Sequence, residues 1–388
     1  MNLVGKQTIN TAPSKKTIVE PLNTACRQFN DLIIYNRLKL LPKVDIHRHF
    51  EGSLRISTLS EIAKMFSLDL PSDPQLLAPM VQMINEKPDP HRFLAKFGTL
   101  RKFYQSPSII RRIAYEVVAD AAMDNVKYLE LRFSPQALAA QRDFPLEEVT
   151  DWVIESVREA AEDFDITVNL IITLVRHDPL FLAQRVAEIA MSRKGRGIVG
   201  LDLAGDEINY SADLFTDIFR EARQEGLKIT IHAGEWMGAE TVKQAIVDLN
   251  ADRIGHGVRA IEDEAVLGLL RDRGIPLEMS LASNEQTASV PSIAEHPLKK
   301  LMMSGVKVTI NTDDPSICAV TMTDELALAA DRLKMNFMLL YGLTWNGLDA
   351  AFISEKKRAE LKQYIQKTWA EIGELEMNPT GLGGRSPI

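Results

Sequence analysis

Apolar residues fall along this chain in two alternating rhythms. Short dense runs rich in aliphatic and β-branched residues are separated by longer stretches in which apolar positions recur at i, i+3 and i+4. The runs predict eight strands: Val44–His49, Tyr128–Phe133, Thr167–Leu174, Ile198–Ala204, Lys228–His232, Arg253–Gly257, Pro276–Leu281 and Lys307–Asn311. The stretches between them predict amphipathic helices. Leu59, Ile62, Ala63 and Phe66 share one helical face, as do Ile110, Ile113, Ala114, Val117, Val118 and Ala121. Farther on, Leu214, Phe215, Ile218, Phe219 and Ala222 run up to a stop at Gly226, and Val266, Leu269 and Leu270 to a stop at Gly274. Runs that are apolar at successive positions, such as Leu170–Leu174, suit parallel strands covered on both faces. Eight strand-then-helix units, at about 25–40 residues each after the first, predict an α/β fold of the (β/α)8 barrel type.

The first interval is about twice as long as the others and carries Pro71, Pro74, Pro79, Pro88 and Pro90 ahead of a helical pattern over Phe93–Tyr104. It predicts a helical lid inserted after the first strand, over the barrel mouth. The expected organisation is an N-terminal leader and helix over 1–41, one barrel over 42–376, and a flexible tail over 377–388 with Pro379 and three glycines.

Composition narrows the function classes. With 45% hydrophobic and 25% charged residues the chain can bury a large core, which excludes disorder. Its 45 basic and 53 acidic residues give a net charge of −8 with no long basic tract, so no nucleic-acid partner is expected. Cys26 and Cys318 are the only cysteines, too few for a disulfide framework and suited to a reducing, cytoplasmic setting. No apolar run approaches the roughly 18 residues that cross a bilayer, so no membrane partner is expected. Lys6, Lys15 and Lys16 give residues 1–19 a faint transit-peptide character, but an ordinary flexible leader without a secretory signal is the expectation. No exposed apolar stripe indicates an oligomeric state.

The candidate chemistry collects at strand ends. Alternation puts His47 and His49, at the end of the first strand, on one face, as a chelating pair requires. A lone His-x-His is equally compatible with a surface pair. His232 ends the fifth strand and His256 the sixth, each beside glycine, while Asp313 and Asp314 follow the eighth. Alone, each histidine could be a hydrogen-bonded core residue and the Asp-Asp-Pro an ordinary turn. In a barrel, four of eight strands would present imidazole or carboxylate at the C-terminal rim, where barrel active sites are built. Imidazoles with a carboxylate suit one divalent ion, Zn2+ first, that lowers the pKa of a bound water. The fourth strand ends Leu203-Ala204-Gly205-Asp206 without a lysine to bridge two metals. Glu235, three residues past His232, is placed to act as general acid/base. His177 reads as a loop hydrogen-bonder, His296 as helix-start chemistry, and Met302 and Met303 as core filling.

Taken in order, Asp45–Arg55, Leu201–Glu207, His232–Glu235, Arg253–Gly257 and Asn311–Ile317 resemble the adenosine/AMP deaminase branch of the metal-dependent amidohydrolase barrels, over about Leu41–Thr368. The resemblance implies one zinc held by His47, His49, His232 and Asp313. It implies that Glu235 protonates purine N1 as zinc-activated hydroxide attacks C6, and that His256 and Asp313 orient the water and help move its proton. It implies Asp314 on N7, the Gly205 N–H on N3, and Phe93, Leu94 and Phe97 gating the mouth. One position departs from the pattern: Glu51 stands where adenosine-selective relatives usually carry Asp toward the ribose 5′-hydroxyl. Adenosine and deoxyadenosine are the expected small-molecule substrates. Adenine, N6-substituted AMP and aminodeoxyfutalosine stay open, as do a metal-dependent amide or ester hydrolase and a non-catalytic purine-binding barrel.

Overall fold

The structure, a computed structural model, describes residues 32–377. Residues 1–31, with Cys26 and most of the expected leader, and residues 378–388 of the expected tail lie outside the described residues. The eight expected strands are present and parallel, in the order β1 to β8: Lys43–His49, Val126–Phe133, Thr167–Val175, Ile198–Ala204, Lys228–Ala233, Arg253–His256, Leu277–Met279 and Val308–Ile310. Each neighbouring pair is hydrogen-bonded in parallel. Just beyond the end of β8, Asp313 bridges Arg48 of β1, with His49 N–H donating to Asp313 O and Asp313 N–H to His47 O, both at 2.8 Å. The barrel is thus stitched shut by residues of the expected site.

β7 and β8 hold three residues each, fewer than their apolar runs suggest. Beyond β7 the chain turns into the helix Leu281–Gln286, whose first N–H groups are capped by Glu325. Beyond β8 the Asn311 side chain takes over, accepting from Ile46 N–H and donating to Met279 O. Two positions expected in the core are exposed: Leu214 (66%) and Met303 (70%). Leu214 sits in a 3-10 turn, Asp213–Phe215, whose tighter pitch rotates it off the face set by the following α-helix. Met303 closes the short helix Leu298–Met303.

The lower barrel is filled by charge. In β2, Glu130 and Arg132 alternate with Leu129, Leu131 and Phe133, and both are fully buried. Arg253, the first residue of β6, donates to Glu278 and Glu130 at 2.5 Å each, and to Ala350 O, with its guanidinium over the Phe352 ring. Arg132 donates to Glu278 at 2.7 Å and lies 3.4 Å from Asp202. Ions this deep are tolerated because each has a partner.

Between β1 and β2 lie the helices Ile56–Met65, Pro74–Val81, Pro90–Leu100 and Pro107–Met123. The third is the expected lid helix, but it begins at Pro90 because Asp89 caps it through the Arg92 N–H and proline presets the first turn. It is tied down by Asp89 N–H to Gln286 O and by Lys96, which bonds Pro79 O and Glu86. Among the described residues no helix is long and apolar enough to cross a membrane.

Candidate active site

His47 and His232 each have the outer ring nitrogen fixed. His47 Nδ1 donates to Glu278 Oε2 at 2.7 Å, and His232 Nδ1 to Asp202 Oδ1 at 3.0 Å. Both acceptors are ionised: burial pushes each carboxyl up, but Arg253 and Arg132 outweigh it at Glu278, and His232 and Arg132 at Asp202. With protons held on Nδ1, both Nε2 lone pairs point inward, the arrangement that metal-ligating histidines adopt. His47 Nε2 is buried with no hydrogen-bond partner and lies 3.3 Å from Asp313 Oδ1. His49 Nε2 lies 3.4 Å from the same oxygen and 3.2 Å from His232 Nε2. Converging lone pairs and a carboxylate oxygen are a donor set that fits a divalent cation.

The ligand atoms of His47, His232, His256 and Asp313 also lie within 4.8 Å of one another. His256 stands further back, its Nε2 3.6 Å from Glu235 Oε2 and 3.9 Å from Asp313 Oδ2. Both His256 (φ +59) and Asp313 (φ +59) hold left-handed backbone, a conformation costly for residues with a side chain and common at functional sites.

A cavity of about 270 Å3 opens over this cluster. His49, His232, His256, Asp313, Glu235, Glu51, Gly205, Asp314, Phe93 and Phe97 all line it; His47 lies buried behind them. The Phe93 and Phe97 rings, 6.3 Å apart, bring the lid helix onto the opening. His177 is on the cavity wall, its ring 6.0 Å from Tyr210 rather than among the other imidazoles. Burial first, then the nearby charge of Asp313, pushes both the Glu235 and Asp314 carboxyls well above the usual range. Asp314 Oδ1 has no hydrogen-bond partner. A β-carbon on residue 52 would overlap the Asp314 carboxyl, so Gly52 is what lets it seat there. Gly205 has φ +101, open only to glycine without strain. Glu51 is drawn to the wall by Ser134 N–H, which donates to its Oε1 at 2.7 Å, and burial lifts its pKa to about 7.

A sequence model of the adenosine deaminase family matches residues 42–368. The chain belongs to the adenosine deaminase family. The adenosine deaminase of Klebsiella pneumoniae (strain 342) is 40% identical over 328 residues, covering 84% of this chain and 98% of that one. The crystal structure of an adenine deaminase from Arthrobacter aurescens superposes with a TM-score of 0.79 at 25% identity, over 85% of this chain and 99% of that one. An N6-methyl-AMP deaminase from Arabidopsis thaliana gives 0.76 at 26%, over 87% and 99%.

Among the residues of this adenosine deaminase family site that sequence reading missed, the structure makes Glu207 prominent. Glu207 sits at the end of a segment quoted only for resemblance, yet its carboxylate accepts the N–H groups of Gly234, Glu235, Trp236 and Met237 and the Thr241 hydroxyl. One side chain therefore sets the loop that carries Glu235. Its signal was an acid just past a strand end, facing no other role. Glu207→Gln replaces one accepting oxygen by an NH2 aimed at those donors. We expect kcat to fall about 10–100-fold with metal content unchanged, checked by steady-state kinetics beside metal analysis.

Proposed function

We propose that this chain hydrolytically removes the C6 amino group of adenosine and deoxyadenosine, releasing ammonia and inosine or deoxyinosine, with one Zn2+ as cofactor. The observation that carries this reading is the pair of buried carboxyls that face one cavity beside the imidazole–carboxylate cluster, Glu235 and Asp314, which burial pushes toward the protonated form that can donate. Purine N1 and N7 only accept hydrogen bonds, so a ring gripped at both needs two donors, and carboxylates would repel it.

His47, His49, His232 and Asp313 would hold the zinc; imidazole and carboxylate donors suit that ion. Bound there, it supplies the Lewis acidity that makes water a nucleophile at neutral pH. Glu235 gives its carboxyl proton to N1, where it stays in the 6-oxo product and makes C6 electrophilic. The proton that the attacking water gives up to Asp313 passes to the amino group, which leaves as ammonia, and the water's second proton returns to Glu235. Asp314 donates to N7 and the Gly205 N–H to N3, fixing the ring. Asp313 and His256 orient the attacking water. Phe93 and Phe97 cover the bound purine and exclude bulk water. Glu51, with Oε1 tied to Ser134, keeps its other oxygen for the ribose 5′-hydroxyl.

A second reading, a nucleoside monophosphate, is favoured by one observation. Arg48 is engaged by Asp45 and Thr312, and Arg55 by Asp120, but Arg101 lines the cavity with its buried Nε unpartnered. Ammonia release by zinc-loaded protein on adenosine, deoxyadenosine, adenine, AMP and N6-methyl-AMP separates the possibilities. We expect kcat/KM for adenosine to exceed that for adenine by at least about 100-fold, since a buried group left without its hydroxyl partner is penalised. Faster adenine turnover would mean Glu51 closes the ribose space; faster turnover of a monophosphate would transfer the role to Arg101.

A further inference from the structure

Behind His256, a file of hydrogen-bonding groups runs into the barrel wall, used by none of the roles above. His256 Nδ1 faces Asn284 Nδ2 at 3.1 Å, Asn284 Oδ1 faces His296 Nε2 at 3.0 Å, and His296 Nδ1 lies 3.1 Å from the backbone nitrogen of Leu298. All three side chains are buried.

The far end sets the direction of the whole file, because a backbone N–H can only donate. His296 accepts the Leu298 N–H at Nδ1. Burial pushes the His296 ring down to about 3, so it is neutral and carries its single proton on Nε2. That proton goes to Asn284 Oδ1, which also receives Ser280 N–H in a longer bond of 3.5 Å. With its oxygen fixed by two donors, Asn284 must turn its NH2 toward His256, whose Nδ1 accepts. The one proton of a neutral His256 then lies on Nε2, the nitrogen facing Glu235 and Asp313.

We infer that Asn284 and His296 are positioning residues that lock His256 in its Nε2–H form, so that it meets the attacking oxygen as a donor and stands outside the metal ligand set. A ligating nitrogen needs its lone pair, so His49 rather than His256 joins His47, His232 and Asp313. The expectation that His256 helps move the water's proton narrows accordingly: anchored on a backbone amide that keeps its own proton, His256 holds the oxygen, and Asp313 Oδ2 is the nearby acceptor. The inference rests on the deaminase reading of the site.

The test is 15N spectroscopy of zinc-loaded, histidine-labelled full-length protein, in which protonated and bare ring nitrogens are well separated. His256 signals are assigned by their loss in His256→Asn, a residue that tolerates left-handed backbone. Wild type should show a protonated Nε2 and a bare Nδ1. Asn284→Asp puts an acceptor against Nδ1 and should draw the proton there, lowering kcat by about 100-fold or more with KM and zinc content unchanged, as a wrong tautomer does elsewhere. His296→Gln, which keeps an N–H toward Asn284, should recover most of what His296→Leu loses. A bare His256 Nε2 in wild type overturns the proposal, as does full kcat in an Asn284→Asp protein whose His256 proton has moved. If Asn284→Asp does not fold, the wild-type spectrum and the His296 pair decide. The spectrum needs no turnover, so failure here is distinct from silence in the ammonia assay, which would count against the deaminase reading instead.

Discussion

Glu235→Gln lowers kcat for ammonia release by about 100- to 10,000-fold, the usual worth of a general acid, while the zinc stays bound. Glutamine has the same shape, and its amide can still hydrogen-bond purine N1, so substrate binding changes little. It cannot hand over a proton at neutral pH, and C6 then faces attack without the positive charge on the ring. The cavity suits the carboxyl to proton donation, because it is buried, flanked by the Asp313 and Glu207 charges, and set beside Thr287, Ser289 and His256. Steady-state kinetics with metal analysis checks it. Turnover kept within a few-fold of wild type would remove Glu235 from the chemistry and with it the mechanism.

His232→Ala has a different signature, because it takes away a proposed ligand and strips Asp202 of a partner. Asp202 keeps only Arg132 at 3.4 Å and the Thr173 hydroxyl at 3.2 Å, so its buried charge is poorly compensated. We expect zinc stoichiometry to collapse, turnover to disappear, and the melting midpoint to fall below that of zinc-loaded wild type. Chelated wild type should lose activity and melt lower too, since an ion present at about 1,000 times its Kd adds about 4 kcal/mol to the folded state. Added zinc should restore chelated wild type and leave His232→Ala inactive. Restoration of the variant would exclude His232 as a ligand.

The rim chemistry was legible because it lies in short segments whose periodicity places them: His47 and His49 two apart on a strand, Glu235 just past His232, Asp313 and Asp314 after β8. The supporting residues were not, because their partners are remote in sequence. Glu278 holds His47 from 231 positions away, and Asp202 holds His232 from 30. A local signal did exist for both, a lone acid inside an otherwise apolar strand run, Leu201-Asp202-Leu203 and Leu277-Glu278-Met279. Such an acid, facing a barrel interior, must have a cationic or hydrogen-bonding partner there. His296 was read as starting a helix, and the Leu298 N–H does bond it. Its second nitrogen, which reaches Asn284, has no local signature at all. The lid helix was anticipated, but its start was set by the Asp89 cap and Pro90, which the apolar pattern does not register.

The charged plug of the lower barrel bears on how traffic passes through the enzyme. Arg253, Glu130, Arg132 and Glu278 are buried across the barrel interior, and the hollow at the far end, walled by Arg253 and Phe352, shares no residue with the cavity above. Among the described residues, the mouth of the purine cavity is lined by Phe93 and Phe97 of the lid helix. A molecule as small as ammonia that leaves by this mouth must pass the bulkier product or wait for it, so the lid helix governs the order of departure there.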